Sequence, residues 1–239
     1  MSDILYIVAP AYNEADNIET FIEEWYPVID SHNTNDKSRL VVVNDGSKDD
    51  TYEKLLRIAE TKPLLVPLTK PNGGHGSTVL FAYRYALDKN ADWIFQTDSD
   101  GQTDPSVFDK FWEMRHDYDA VIGSRPDRQD GWERKFVEKT LLLILRITFG
   151  VKIPDSNAPF RLMKKELVEK YIGKLPKDYN LPNVMMTTYF AYFKENIIFV
   201  DIPFKPRQAG TNSINIKKIV AIGLRALGDF MKLKKEINN

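Results

Sequence analysis

Residues 93–104 read WIFQTDSDGQTD, and this stretch organises the rest of the chain. An apolar run leads into two carboxylates, Asp98 and Asp100, and then into a glycine. The run has the length of a buried strand that ends where the acids begin. Asp98 and Asp100 would then lie at the carboxyl edge of a sheet, where open α/β folds bind their ligands. Two carboxylates there can bind Mg²⁺ or Mn²⁺ together with substrate phosphates, although an isolated Asp-x-Asp more often only caps the next helix.

The composition is that of a soluble globular protein. The chain has 239 residues, of which 43% are hydrophobic and 28% are charged, as is usual for folded domains. Its formal net charge of −1 creates no global field that would attract nucleic acid. The lack of cysteine excludes disulfides and zinc–thiolate sites and fits a reducing compartment. We expect no signal peptide and no membrane span, and therefore a cytoplasmic protein that is either free or peripheral on the cytoplasmic face of the membrane.

Apolar runs and amphipathic segments alternate over the first hundred residues. The runs predict strands at 4–9, 40–43, 64–68 and 93–97. Apolar residues between these runs recur at helical spacing, which predicts three helices. Asp16 is expected near the start of the first helix, and Leu55 and Leu56 on the inner face of the second. Such alternation with short connections is typical of a parallel α/β sheet.

The second half of the chain is less regular. Its apolar pattern predicts, in order, a helix after Pro105, a strand at 120–123, an apolar helix at 136–149, a loop at 155–161, a buried helix at 184–193 and a strand at 197–202. The last segment is basic and amphipathic, with Phe230 and Met231 on its apolar side. We predict a single domain over 1–239, with a donor half at 1–100, an acceptor half at 101–213 and an amphipathic helix at 214–239.

Polar, turn-forming residues follow all four strands predicted in the first half. They are Tyr12-Asn13-Glu14, Asp45-Gly46-Ser47, Asn72-Gly73-Gly74-His75-Gly76 and Asp98-Ser99-Asp100. Because the carboxyl ends of parallel strands share one edge, these loops should converge on one crevice. Each loop alone could be a helix start or a tight turn, but the four together favour a nucleotide-type site. The Gly-x-Gly-x-x-Gly and P-loop motifs are absent, which argues against a Rossmann dehydrogenase and a P-loop NTPase.

With Pro10-Ala11 ahead of Tyr12, these loops resemble the ordered signatures of family 2 glycosyltransferases. That family has the GT-A fold, an α/β architecture with a mainly parallel central sheet, and transfers sugars from nucleotide donors with inversion. One departure is Asn44, where many members carry an aspartate. The resemblance implies a donor site at Pro10, Tyr12, Glu14, Asp45, Asn72, Gly74, Gly76 and Asp98, and a Mg²⁺ or Mn²⁺ site at Asp98 and Asp100.

Three later loops, 123–125, 155–162 and 207–211, resemble the acceptor half of polyprenyl-phosphate sugar synthases of the dolichol-phosphate mannose synthase-like branch. By this resemblance Arg125, Arg128 and Arg207 would bind a lipid or donor phosphate, for which the planar guanidinium is well suited. Asp155 is the candidate base if the acceptor is a hydroxyl. Solvated loop arginines and a loop-bracing Asp155 are the alternatives.

These features predict a metal-dependent inverting glycosyltransferase that uses a UDP- or GDP-sugar, with a polyprenyl phosphate as acceptor. One alternative is transfer onto a capsule, lipopolysaccharide or exopolysaccharide intermediate. Others are a non-catalytic nucleotide-sugar-binding subunit, which the intact acids argue against, and a nucleotidyltransferase, which would have a basic Gly-rich loop after its first strand. The amphipathic C-terminal helix could contact a lipid or membrane surface, but such a helix more often packs on its own domain or on another subunit. We expect no nucleic-acid partner, and leave open whether the chain forms a homo-oligomer.

Overall fold

A computed structural model describes residues 3–34, 36–126, 132–204 and 227–235. A 3-10 turn at Pro105–Val107 leads into the fourth helix, and residues 227–235 are also helical. The other elements, in chain order, are β1 Leu5–Ala11, α1 Ile18–Ser31, β2 Arg39–Asn44, α2 Thr51–Ala59, β3 Leu65–Thr69, α3 His75–Asp88, β4 Trp93–Gln96, α4 Phe108–Met114, β5 Ala120–Ser124, α5 Trp132–Phe149, β6 Arg161–Lys164, α6 Lys165–Ile172, α7 Pro182–Tyr192 and β7 Ile197–Asp201.

The strands form one seven-stranded sheet in the order β3-β2-β1-β4-β6-β5-β7. Strands β1 to β4 are parallel to one another, β6 is antiparallel to both β4 and β5, and β7 is parallel to β5. The mainly parallel α/β sheet flanked by helices is confirmed, as is the alternation of strands and helices over the first hundred residues. Strands from both halves of the chain pair within this single sheet.

Two apolar cores cover the two faces of the sheet, because successive side chains of each strand point to opposite sides. Helices α1, α2 and α4 pack on one face, and α3, α5, α6 and α7 pack on the other. In the first core the fully buried Trp25 of α1 lies on Phe95 of β4, with ring centroids 5.3 Å apart. Burial of such an aromatic side chain contributes roughly 2–3 kcal/mol.

Several local predictions were wrong. Arg161, expected in a loop, begins β6, and the short helix α6 after it was not predicted. Leu56 is 46% exposed, because only Leu55 of the pair reaches the core. By contrast, Asp16 lies near the start of α1 as expected, because the helix begins at Ile18 with Asn17 as its N-cap.

The C-terminal helical segment, residues 227–235, packs against the end of α5. Phe230 is fully buried, with its ring centroid 6.3 Å from that of Phe149, and Lys234 donates a hydrogen bond to the Thr148 carbonyl. Met231, expected on the apolar side with Phe230, is 59% exposed instead. The rest of the predicted helix at 214–239 lies outside the described residues. None of the described helices is long and apolar enough to cross a membrane.

Candidate nucleotide-sugar site

A cavity of about 410 Å³ opens at the carboxyl edge of the sheet. It lies where β1 and β4 are neighbours, which is the point at which the strand order reverses. Open α/β sheets bind their ligands at such points, because the loops that follow the two strands diverge there. The cavity is lined by Pro10, Ala11, Tyr12, Glu14, Asp45, Asn72, Gly74, His75, Thr78, Asp98, Ser99 and Asp100.

The loops after β1 and β2 are held together by hydrogen bonds between backbone amides and side chains. Asn13 N donates to Ser47 Oγ at 2.9 Å, and Glu14 N donates to Thr51 Oγ1 at 2.9 Å. In return, the Asn13 side-chain oxygen accepts from Lys48 N at 2.9 Å. These bonds fix the backbone beside Tyr12, whose ring is 42% exposed at the cavity.

Asp45 lines the cavity, and its carboxylate holds the neighbouring loop in place. Its Oδ1 pairs with Lys70 and accepts from Gly73 N at 2.9 Å, while its Oδ2 accepts from Gly74 N at 2.8 Å. Burial raises the pKa of the Asp45 carboxyl, but the hydrogen bonds from Lys70, Gly73 and Thr78 outweigh burial and lower the pKa below its ordinary value. The charged carboxylate therefore anchors the glycine loop that leads into α3.

Asp98, Ser99 and Asp100 follow β4 and also line the cavity. Ser99 is buried, and its Oγ donates to the Pro10 carbonyl at 2.8 Å, which ties this loop to the one after β1. Asp100 Oδ1 accepts from Gln102 N at 3.2 Å, a turn that Gly101 permits with a φ of 73°. The Asp98 and Asp100 side chains thus share one wall of the cavity on a fixed turn.

His75, which the sequence reasoning left out of the donor site, contacts this acidic wall. Its Nε2 lies 3.1 Å from Asp98 Oδ1. Burial lowers the pKa of His75, but Asp98, Asp100 and Asp45 more than compensate and raise it above the ordinary value. Burial raises the pKa of Asp98, whereas His75 and the nearby cations Arg125 and Arg161 lower it overall. In the sequence, the one signal that pointed to His75 was its place inside the glycine loop.

The acidic wall fits a divalent cation bound jointly with a diphosphate. Asp98 and Asp100 provide hard oxygen ligands next to the open cavity, as Mg²⁺ and Mn²⁺ prefer. No group of three or more His, Cys, Asp or Glu side chains in the described residues is arranged to hold a metal ion. A cation at this wall would therefore complete its coordination with substrate and water oxygens, the usual arrangement for Mg²⁺.

The predicted acceptor residues Arg125 and Asp155 pair with each other. Arg125 Nε donates to Asp155 Oδ2 at 2.7 Å, and its Nη2 donates to Oδ1 at 3.0 Å. Both side chains are buried, with exposed fractions of 5% and 2%. Asp155 Oδ1 also accepts from Asn157 N at 2.9 Å, so the carboxylate braces its own loop. This geometry favours the bracing role, and the roles of Asp155 as a base and Arg125 as a phosphate ligand stay predictions. Arg128 and Arg207 lie outside the described residues.

Gly76 does not line the cavity, unlike the other predicted donor residues. A Cβ atom at Gly76 would lie well inside van der Waals distance of the Tyr179 and Asn180 carbonyl oxygens. The glycine therefore lets the loop before α7 pack on the first turn of α3. Asn44, the departure from the family pattern, is buried and donates to Thr69 Oγ1 at 2.9 Å. It braces β2 against β3 beneath the cavity.

Comparisons with known proteins agree with this geometry. The chain is 27% identical over 236 residues to an uncharacterised glycosyltransferase from Synechocystis sp., covering 98% of this chain and 71% of that protein. It is 24% identical over 217 residues to an undecaprenyl-phosphate 4-deoxy-4-formamido-L-arabinose transferase from Pectobacterium carotovorum, covering 90% of this chain and 63% of the relative. It therefore spans about two thirds of the length of these relatives.

Among solved structures, glucosyl-3-phosphoglycerate synthase from Mycobacterium tuberculosis, in complex with Mn²⁺, UDP and phosphoglyceric acid, superposes with a TM-score of 0.71. The sequence identity is 17%, and the match covers 97% of this chain and 78% of that one. At this identity the likeness establishes the fold alone, which is GT-A. The sequence model of glycosyl transferase family 2 matches residues 6–172. Together with the strand-end loops, this match shows that the chain belongs to glycosyl transferase family 2.

Proposed function

We propose that this protein transfers a sugar from a nucleotide-diphosphate donor to a polyprenyl phosphate, with inversion at the anomeric carbon. The observation that carries the proposal is the cavity at the reversal of strand order, which Asp98 and Asp100 line together with Tyr12 and the glycine loop. In this proposal residues 1–100 bind the donor and residues 101–213 bind the acceptor. The transfer takes place at the cytoplasmic face of the membrane and contributes to cell-envelope synthesis.

The cavity offers a separate contact for each part of the donor. The exposed Tyr12 ring can stack on a base beside Glu14. Helix α3 starts at His75, which lines the cavity, and the positive end of the helix dipole there suits a diphosphate. The cation would be held by Asp98 and Asp100.

The proposed reaction depends on stabilising the negative charge that develops on the leaving diphosphate. Breaking the glycosidic bond leaves negative charge on the nucleotide diphosphate, which a bound Mg²⁺ or Mn²⁺ would stabilise. The positive end of the α3 dipole, at His75, would add to this stabilisation on the protein side. A phosphate acceptor is already anionic and needs no general base, whereas a hydroxyl acceptor does. Asp155, the candidate base, is held in the ion pair with Arg125. A phosphate acceptor fits this arrangement, because its transfer does not require Asp155 to leave the pair and act as a base.

The acceptor class also draws support from the Pectobacterium relative, which is named for transfer to undecaprenyl phosphate. Mn²⁺ and UDP occur in the solved structure with the same fold. The formamido-arabinose of that relative is not carried over, because sugar specificity depends on contacts that differ at 24% identity.

The test is a thermal-shift screen of UDP- and GDP-sugars with and without Mn²⁺, followed by transfer assays with undecaprenyl phosphate. We expect one donor to raise Tm only with Mn²⁺, and Asp98→Asn and Asp100→Asn to abolish that rise. Asp88→Asn is the matched control, because Asp88 is an exposed acid at the far end of α3. Donor-dependent shifts that survive in both variants would refute the metal site. Transfer to a sugar hydroxyl but not to the lipid phosphate would move the acceptor to a saccharide intermediate.

A further inference from the structure

The exposed side of α5 carries an apolar stripe. Phe136, Leu143 and Ile147 are 68%, 56% and 75% exposed, although most large apolar side chains of the sheet helices are buried. With the exposed Thr140 they occupy positions i, i+4, i+7 and i+11, which fall on one side of a helix. We call these four residues the α5 stripe. Leu145, on the opposite side of the helix, is fully buried in the core.

Two cations are described on the exposed side of α5, next to the α5 stripe. Lys139 and Arg146 are exposed and lie along one flank of the stripe. Glu138 is half-buried, and helical periodicity turns it about 160° away from Phe136. An exposed apolar stripe flanked by cations is the pattern of a helix that lies in a lipid headgroup region.

The C-terminal helical segment extends this surface. It is held to the end of α5 by the Phe230–Phe149 contact and by Lys234, which donates to the Thr148 carbonyl. Its exposed side chains include Met231, Lys232 and Lys235. Its one acid in the described range, Asp229, is also exposed, and it lies near enough to Tyr179 to add to the rise in the pKa of that phenol that burial causes.

We propose that the α5 stripe is a docking surface for anionic phospholipid, on which the protein lies parallel to the membrane. Charge selects this occupant over two others. Residues 205–226 of the same chain contain five Lys and Arg and no Asp or Glu, so their charge would repel the cations of α5. A second copy would bring the same cations against Lys139 and Arg146. An anionic membrane complements both α5 and that basic segment.

This inference deepens the proposed function, because it names the surface that would bring the cavity to a lipid-borne acceptor. It can still be tested on its own. Vesicles of phosphatidylcholine, with or without an equal part of phosphatidylglycerol, contain no polyprenyl phosphate, so binding to them reports the surface and not the acceptor site. Cosedimentation measures the bound fraction of the full chain, and the Mn²⁺-dependent donor thermal shift reports the cavity separately.

We expect the wild-type protein to sediment with the phosphatidylglycerol vesicles. Leu143→Glu/Ile147→Glu should weaken binding at least about tenfold, because two apolar side chains no longer insert. Lys139→Gln/Arg146→Gln should weaken binding about fivefold per charge and remove the preference for anionic vesicles. The donor thermal shift should stay unchanged in both variants, which lie outside the cavity.

The controls are Leu56→Glu, which alters an exposed leucine on α2, and Arg57→Gln/Lys110→Gln, which removes two exposed cations from α2 and α4. Both should bind vesicles as the wild type does. The proposal is overturned if the wild type ignores anionic vesicles, or if the α5 variants bind as well as their controls. A wild-type dimer that Leu143→Glu converts to a monomer would assign the α5 stripe to a second copy instead.

Discussion

His75 Nε2 lies 3.1 Å from Asp98 Oδ1, so the first residue of α3 contacts one of the two carboxylates that fit a metal ion. The imidazole side chain is half exposed, at 52%, and the carboxylate is 27% exposed. A cation that binds Asp98 through Oδ1 must therefore share this oxygen with His75 or replace its hydrogen bond. Burial lowers the pKa of His75, but the nearby carboxylates raise it overall, and the protonated imidazole places a positive charge beside the free site.

His75→Ala should accordingly raise the affinity of the nucleotide-free protein for Mn²⁺. Loss of one positive charge near a solvated carboxylate is worth roughly 1 kcal/mol, or about fivefold in affinity. Titration followed by Mn²⁺ paramagnetic resonance measures this directly. His116→Ala, at an exposed histidine outside the cavity, serves as the control. Unchanged or weaker Mn²⁺ binding in His75→Ala would show that the imidazole does not compete with the ion.

The pair Arg125–Asp155 should matter for stability whatever its role in catalysis. Removal of one partner leaves the other charge buried and uncompensated, which typically costs about 3–5 kcal/mol. We expect Arg125→Ala and Asp155→Ala each to lower the free energy of unfolding by about 3 kcal/mol in urea denaturation. The double variant should lose less than the sum, with a coupling of at least about 1 kcal/mol. Additive losses would mean that the two side chains are stabilised independently.

The strands and strand-end loops of the first hundred residues could be predicted well from the sequence, because each signal there is local. Continuous apolar runs identify parallel strands that are buried on both faces, and polar residues after each run identify the shared edge. Strand β6 was missed because Arg161-Leu162-Met163-Lys164 has charged ends and only two apolar residues, and its antiparallel pairing with β4 and β5 is a long-range property.

The partners of the site residues could not be read from the sequence. Asp45 pairs with Lys70, 25 residues away, and His75 with Asp98, 23 residues away. Asp155 pairs with Arg125 across 30 residues. Sequence patterns indicate which side chains reach the carboxyl edge, but the contacts among them depend on how the loops pack.

Gly76→Ala should destabilise the protein and weaken donor binding together. The new Cβ would overlap the Tyr179 and Asn180 carbonyl oxygens, and backbone cannot yield as a flexible side chain can. We expect a loss of about 1–3 kcal/mol, typical of overpacking, with a smaller donor thermal shift because α3 begins at the cavity. Gly173→Ala is the matched control, since nothing lies within 4 Å of its added Cβ and its φ of −68° suits alanine. Equal effects of the two substitutions would contradict the proposed clash.

Glu195, which does not line the cavity, should make the free energy of unfolding fall at acidic pH. Its Oε1 accepts from Lys170 Nζ at 2.6 Å and from the Tyr171 hydroxyl. Burial raises the pKa of Glu195, but these two donors outweigh burial and lower it below its ordinary value. A carboxyl whose pKa is lower in the folded state stabilises the fold above its unfolded pKa, and this contribution disappears as pH falls through the folded pKa. Glu195→Gln should therefore cost about 1–2 kcal/mol at pH 7 and almost nothing at the acid end of a urea-denaturation series. The control is Glu169→Gln, which alters a half-exposed pair with Lys165 on the same helix, 3.8 Å apart, and its free energy of unfolding should stay near that of the wild type at every pH. If Glu195→Gln lowers the free energy of unfolding by the same amount at every pH, the loss comes from packing rather than from charge.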